Sequence, residues 1–378
     1  MQINQHVLQR LHLDVPLLVG LMLLCGLGLV VLYSAGGQEL DVVIRQATRM
    51  GLGFIVLIFL AQFSVIQLLK WTPWLYGIGI LLLIAVDITG HVGKGAQRWL
   101  NLGFIKFQPS EIMKIVEPLM ISWYLSQHSL PPTYGRLGVA LVLVLVPFLL
   151  IAKQPDLGTA LLVATSGLFV ILLAGLNWKL LMSIATVGFG SLIALWTVPP
   201  DKIQAVLSNV LHGYQLKRVM VFLNPELEPL KAGYHIIQSK IAIGSGGIYG
   251  KGWLNGTQSH LEFLPERTTD FIFAVFSEEF GLLGSLVLLT LYLFVVSRCL
   301  YLAVHSHSPF EQMVAGALGL TFFVYVFVNI GMVTGTLPVV GVPLPLISYG
   351  GTAVVTLFAG FGIVMALHAH RKPLFLSG

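Results

Sequence analysis

Charge is what this sequence has least of. Lys, Arg, Asp and Glu make up 10% of the 378 residues, against 56% hydrophobic residues. A soluble domain carries about 25% charged residues. The imbalance excludes an ordinary soluble enzyme. It points to a polytopic membrane protein, because apolar runs recur along nearly the whole length. Cysteine is almost missing as well. Cys25 and Cys299 each sit in or beside an apolar segment, so the chain has neither a disulfide framework nor metal-ligand spacing. A GxxxxGK[ST] phosphate cradle is absent, which argues against a nucleotide as energy source. No internal repeat stands out. The net charge of +5 is too small to argue for nucleic acid; on a membrane protein, basic residues mark topology or an anionic ligand. The first apolar run lacks a small-residue cleavage site, so it is expected to span rather than to be removed as a signal peptide.

Apolar runs long enough to span lie near 15–35, 47–65, 72–90, 136–153, 157–175, 179–198, 271–297, 313–335 and 349–368, and 109–127 (PSEIMKIVEPLMISWYLSQ) is a more polar candidate. The expected fold is all-α, a single membrane domain over 1–378 with about ten transmembrane helices, since only a closed helix satisfies its backbone in lipid. Both termini then fall on one side. One long break, about 199–270, forms a large loop between the seventh and eighth helices. Within it Tyr234–Ile243 (YHIIQSKIAI) reads as a short amphipathic helix on the interface or on the bundle, and Gly244–Gly252 (GSGGIYGKG) as a loop.

Basic residues do not vote on orientation. The side of the termini carries Arg10, Lys70, Arg136, Lys179, Arg298, Arg371 and Lys372. The short loops opposite carry Arg45, Arg49, Lys94, Arg98, Lys106 and Lys153. Either orientation is unresolved or one face keeps cations for another purpose, such as an anionic ligand.

Ionisable groups at membrane depth are costly and mark function by default. Five clusters stand out, all on the side of the long loop. GKGAQRWL holds Lys94 and Arg98 four apart beside a Trp, which suits an interfacial anchor or an anion grip. In QPSEIMK, Pro109 and Glu111 fit a helix start, and Glu111 and Lys114 are one turn apart and can pair. Lys114 and Glu117 lie deeper than capping explains. Lys153-Gln154-Pro155-Asp156 opens the sixth helix, where Asp156 reads as a cap or as part of a site. In FLPERTTDFIFAVFSEEFG, Asp270 stands where an N-cap would. Glu262, Glu266 and Arg267 crowd the same residues, and a carboxylate at the dry edge of a cleft beside cations is also how a general base is housed. Spacing leaves both readings open. The last cluster, LPVVGVPLPLISYGGT, breaks apolar sequence with prolines and glycines. It reads as a re-entrant turn lining the cleft, with Ser348 capping the last helix. Two functions fit: an enzyme acting on a lipid-linked anionic substrate, or a transporter or lipid flippase whose broken segments are hinges. The clustering of irregular segments on one face favours the enzyme.

GKGAQRWL, FQPSE, QPDLGTA, GYHIIQSKIAIGSGG, GKGWLNGTQSHLEFLPERTTDFIFAV and PLPLISYGG together resemble the SEDS family (shape, elongation, division and sporulation), over about 10–372 and nearer its rod-shape-determining branch than its cell-division branch. The resemblance implies a ten-helix peptidoglycan glycosyltransferase of the bacterial cytoplasmic (inner) membrane. It would have cytoplasmic termini, an extracytoplasmic long loop and a cleft facing the periplasm. The implied substrate is lipid II, a disaccharide-pentapeptide on undecaprenyl diphosphate. The implied partners are a class B penicillin-binding transpeptidase and the elongation machinery, with no nucleic acid. The implied catalytic residue is Asp270, as general base on the acceptor 4-hydroxyl with inversion and undecaprenyl diphosphate leaving. Lys94, Arg98, Glu111, Lys114, Asp156, Arg218, Arg267 and Ser348 are the expected substrate-binding residues. No cofactor is certain. A divalent cation, Mg or Mn, near Glu111 and Asp270 is compatible, although no ligand spacing demands a metal. The family often has His before TDF; here it is Thr269, which removes a neighbouring cation. A lipid II flippase is the alternative function.

Overall fold

A computed structural model describes residues 12–93, 96–101, 106–176, 232–260 and 266–369, with isolated positions between 177 and 231. The helices are α1 (Val15–Ala35), α2 (Leu40–Ala61), α3 (Val65–Thr89), α4 (Pro109–Ser126), α5 (Tyr134–Lys153), α6 (Leu157–Leu173), α7 (Ala232–Gly246), α8 (Thr257–His260), α9 (Ile272–Val304), α10 (Pro309–Val333) and α11 (Thr352–Ala369). Among the described residues, α1, α2, α3, α5, α9 and α10 are long and apolar enough to cross a membrane, and α6 and α11 are shorter apolar helices. The chain is thus the multi-pass helical protein that its composition requires. The expected span at 179–198, apart from isolated positions, and about half of the expected loop at 199–270 lie outside the described residues.

The apolar runs misplace several boundaries. α2 starts at Leu40 rather than 47, and α3 at Val65 rather than 72. Their first turns carry Asp41, Arg45, Gln46, Gln67 and Lys70, which a hydropathy window discards. The start of α3 is fixed by a capping box, in which Ser64 and Gln67 satisfy each other's backbone N–H groups. A small antiparallel sheet interrupts the all-helical pattern after α3, in the order β1 (His91–Gly93), β2 (Ala96–Asn101), β3 (Lys106–Phe107). It carries the GKGAQRWL motif to the head of α4.

The most polar of the long helices sits in the middle. α4 packs against α3, α5, α6, α10 and α11, and every residue from Met113 to Leu119 is buried, Lys114 and Glu117 included. The outer helices instead expose Ile44, Ile55, Phe59, Trp74 and Leu81. Lipid cannot hydrogen-bond, so polar side chains go inward and apolar ones face out. α2 lies along α11, with the Phe358 ring against Gly53, and α1 lies along α9.

α9 is broken at Gly281 (φ 65, ψ −162). Its freed carbonyls and N–H groups are taken by the turn that follows α7. Lys251 N donates to Glu278 O (3.0 Å) and Gly252 N to Glu279 O (2.9 Å). Leu282 N and Leu283 N donate to Gly247 O (3.0 Å) and Ile248 O (3.1 Å). The stretch expected as a loop from Gly244 is therefore helix through Gly246, then a plug in the break. The amphipathic helix expected at Tyr234–Ile243 is real, and it packs on α9. Glu278 and Glu279 do not face lipid, since both are fully or almost fully buried. Glu278 accepts from Lys251 Nζ (2.6 Å), Gln258 N (3.0 Å) and Thr257 Oγ1 (3.1 Å), and Glu279 accepts from the Ser34 hydroxyl.

Candidate active site

The stretch before α9 is a turn, and its carbonyls are held one after another by other parts of the fold. Tyr349 N donates to Thr268 O (2.8 Å), Ser348 Oγ to Thr269 O (2.6 Å) and Asn329 Nδ2 to Asp270 O (2.9 Å). Asp270 is not the N-cap expected from the sequence. Phe271 holds that position and makes no side-chain capping bond. The Asp270 carboxylate instead lies over the re-entrant turn, with Oδ2 3.5 Å from where a Cβ on Gly341 would stand. Gly341 has φ +75, which a residue with a side chain rarely adopts. Thr269 turns its hydroxyl back to Glu266 Oε2 (2.8 Å).

Ser348 does not cap the last helix, which starts at Thr352. It is 2% exposed, receives Leu344 N (2.7 Å) and donates to Thr269 O. It is an internal tie between the re-entrant turn and the stretch before α9. α2 holds the same ISYGG turn from the other side. Gln46 Nε2 donates to Ser348 O (3.2 Å), Gly350 N donates to Gln46 Oε1 (3.2 Å), and the Arg49 guanidinium lies 4.6 Å over the Tyr349 ring.

The second group of polar residues gathers at the heads of α4 and α6. Lys114 Nζ is 2.8 Å from Glu111 and donates to Tyr325 OH at 2.9 Å. The pair one turn apart in the sequence is therefore formed and extended onto α10. Asp156 caps α6 by accepting from Thr159 N (3.4 Å), and it also accepts from Gln108 Nε2 (2.9 Å) and pairs with Arg98 at 3.6 Å. The capping reading of Asp156 holds, and the same carboxylate joins Gln108 and Arg98. The two groups meet where Gly158, in the first turn of α6, lies against Val340 O of the re-entrant turn with no room for a Cβ. Tyr325 and Val342 pack with Leu162 at the same junction. Arg267 reaches the α1–α2 connection, its Nη2 3.7 Å from the Cβ position of Gly37. Lys94, Arg218 and Glu262 lie outside the described residues.

His235 of α7 stacks on Phe271, next to Asp270, at 5.6 Å and 22° between the ring planes. Burial there lowers its pKa from the ordinary 6.5, against an opposing pull from Glu266. Among the described residues no group of three His, Cys, Asp or Glu converges as a metal cage, and Glu111 is engaged by Lys114. Asn329, Tyr325 and Gln46 went unnoticed in the sequence because they are neutral; their only signal is a polar side chain inside or at the edge of an apolar run.

A family model described as a cell cycle protein, covering FtsW, RodA and SpoVE, matches residues 12–373. The chain belongs to the SEDS family. It is 52% identical over 369 residues to the protein named peptidoglycan glycosyltransferase MrdB of Escherichia coli (strain K12), covering 97% of this chain and 96% of that one. It is 31% identical to the peptidoglycan glycosyltransferase RodA of Treponema pallidum, covering 95% and 98%. Among solved structures it superposes on a chain of a peptidoglycan synthase complex described as coordinating polymerization and crosslinking (TM-score 0.79, 29% identity, 95% and 99% covered). It also superposes on the crystal structure of Thermus thermophilus RodA (TM-score 0.69, 28% identity, 95% and 98% covered).

Proposed function

We propose that this SEDS chain is a peptidoglycan glycosyltransferase that polymerises lipid II, with Asp270 as its general base. The observation that carries the assignment is the seat of Asp270. Three consecutive carbonyls are each held by a different donor, and the carboxylate is set over bare backbone at Gly341. That rigidity suits a base that must stand within about 3 Å of a hydroxyl proton. The anomeric carbon of the growing glycan is bonded to the lipid diphosphate. The acceptor 4-hydroxyl attacks that carbon, Asp270 takes its proton, the bond to the diphosphate oxygen breaks and the anomeric centre inverts. General-base help is typically worth about 10²–10⁴-fold.

Cations then hold the departing diphosphate. Arg98 and Arg267 are the candidates for it among the described residues, and Lys94 and Arg218 are the candidates outside them. Lys114, buried and paired with Glu111 and Tyr325, builds the cleft floor. A divalent cation in this reading arrives on the substrate phosphates, and chelator titration of polymerisation reads its need. The chain sits in the cytoplasmic membrane with cytoplasmic termini and a periplasmic cleft, so cations on the cleft side serve substrate rather than topology, which explains the balanced charge tally. A class B penicillin-binding transpeptidase of the elongation machinery is the partner; the synthase complex that holds a similar chain supports this.

The test is polymerisation of labelled lipid II by the purified protein with its partner, wild type against Asp270→Asn. Glycan from wild type and none from a folded, partner-bound variant supports the reading. Normal glycan from the variant removes Asp270 from the chemistry. Lipid II translocation without polymerisation by the wild type replaces the enzyme with a flippase.

A further inference from the structure

Asn329 is 0% exposed, on the inner face of α10 one turn beyond Tyr325. An amide at that depth is costly unless both its hydrogens find acceptors. They do: Nδ2 donates to Asp270 O at 2.9 Å and to Val342 O at 2.7 Å, while Oδ1 has no hydrogen-bond partner. The orientation of the amide is therefore set wholly by two carbonyls, from segments far apart in sequence. Asp270 O lies outside the helical ladder of α9, whose first bond runs from Ala274 N to Phe271 O (3.0 Å). Val342 O belongs to the re-entrant turn, one residue after the glycine that backs the Asp270 carboxylate.

We propose that Asn329 is the positioning residue for Asp270: its one amide ties the catalytic peptide to the turn behind the carboxylate, so that base and backing hold a single geometry. The proposal rests on the reading of Asp270 as general base. Neither carbonyl needs Asn329 for substrate to bind. Without the tie the Asp270 carbonyl loses this donor and its peptide keeps only the 3.3 Å bond from Phe271 N to Glu266 O on its other edge, and a misplacement of about 1 Å costs on the order of 10²-fold in rate. Loss should therefore fall on kcat and leave KM alone. Asp is excluded at this position, because a carboxylate would bring oxygens rather than hydrogens against two carbonyls.

The test uses the full chain with its transpeptidase partner and compares Asn329→Ala, Asn329→Ser and Asn329→Asp with wild type and Asp270→Asn. Rates of lipid II polymerisation are taken per folded molecule, so partial misfolding does not mask the result. The expected result is a kcat about 10–100-fold lower for Asn329→Ala and Asn329→Asp, with KM within about two-fold of wild type. Asn329→Ser, which restores one donor, should fall between them and wild type. The idea is overturned if Asn329→Ala keeps wild-type kcat per folded molecule, if KM rises in step with the loss, or if Ser and Ala are equally impaired. An inactive Asp270→Asn beside a normal Asn329→Ala refutes the tie alone. An active Asp270→Asn refutes the Asp270 reading itself.

Discussion

Replacing Gly281 by Ala should undo the seam between the turn after α7 and α9. Gly281 sits at φ 65, ψ −162, a region open essentially to glycine, and forcing another residue there costs of order 1–3 kcal/mol. Space is a second obstacle. A Cβ at Gly281 would stand 2.6 Å from the Ile248 carbonyl oxygen, nearer than such atoms approach. Either the strain is kept, or the plug is expelled with its backbone hydrogen bonds to Glu278, Glu279, Leu282 and Leu283. Those bonds are worth about 1 kcal/mol each, so expulsion loses about 4 kcal/mol. Both routes lower Tm, by roughly 5–15 °C at a few degrees per kcal/mol. The routes separate by proteolysis. Lys251 is held against the buried Glu278, so expulsion exposes it to trypsin while strain alone does not. Melting of the detergent-solubilised protein by intrinsic fluorescence reads the first quantity, and cleavage at Lys251 reads the second. A Gly281→Ala variant with wild-type Tm and a protected Lys251 would show that the break is not fixed by this glycine.

Two other perturbations follow from buried polar groups. Glu117 is fully buried on α4, neither carboxyl oxygen has a hydrogen-bond partner, and one oxygen crowds the bare Cα of Gly167. Glu117→Met keeps the length and removes two unmet acceptors, so it should raise stability by about 1–3 kcal/mol; a lower Tm refutes this. His235 has a folded pKa below its ordinary 6.5 because burial on Phe271 disfavours the imidazolium. The stability it lends is therefore complete above pH 6.5 and is lost as pH falls from there through the lowered value. His235→Phe keeps a ring on Phe271 and should flatten the drop in Tm between pH 7.5 and 5.5; an unchanged drop refutes the assignment.

What the sequence made legible was charge. With so few ionisable residues, Glu111 and Lys114 one turn apart, Asp156 at a helix head and the crowd around Asp270 announced themselves, and the structure forms the first two pairings. What stayed hidden is neutral and long-range. Asn329 reads as one tolerated polar residue in VFVNIG, and its partner lies 59 positions away. Ser348 looked like a cap because a serine before an apolar run usually is one. Its hydroxyl is instead drawn to Thr269 O, a carbonyl left outside any helix. The break in α9 is equally silent. FSEEFGLLG reads as continuous helix, and only a second glycine-rich turn, distant in sequence, supplies the hydrogen bonds that make a break affordable.

The displacement of Asp270 from the cap position explains why the charged stretch ends where it does. A carboxylate that caps a helix spends its oxygens on orphan N–H groups and is poorly disposed to accept a proton from a sugar. Moving the cap one residue on, to Phe271, assigns the helix start to a residue with nothing to lose, since Phe271 makes no side-chain bond there. The carboxylate is then located by other means: Tyr349, Ser348 and Asn329 hold the peptide, and Gly341 backs the oxygens. Each of these contacts is made through backbone or a neutral side chain. A seat of this kind suits a general base, which must stand within hydrogen-bond reach of the proton it takes.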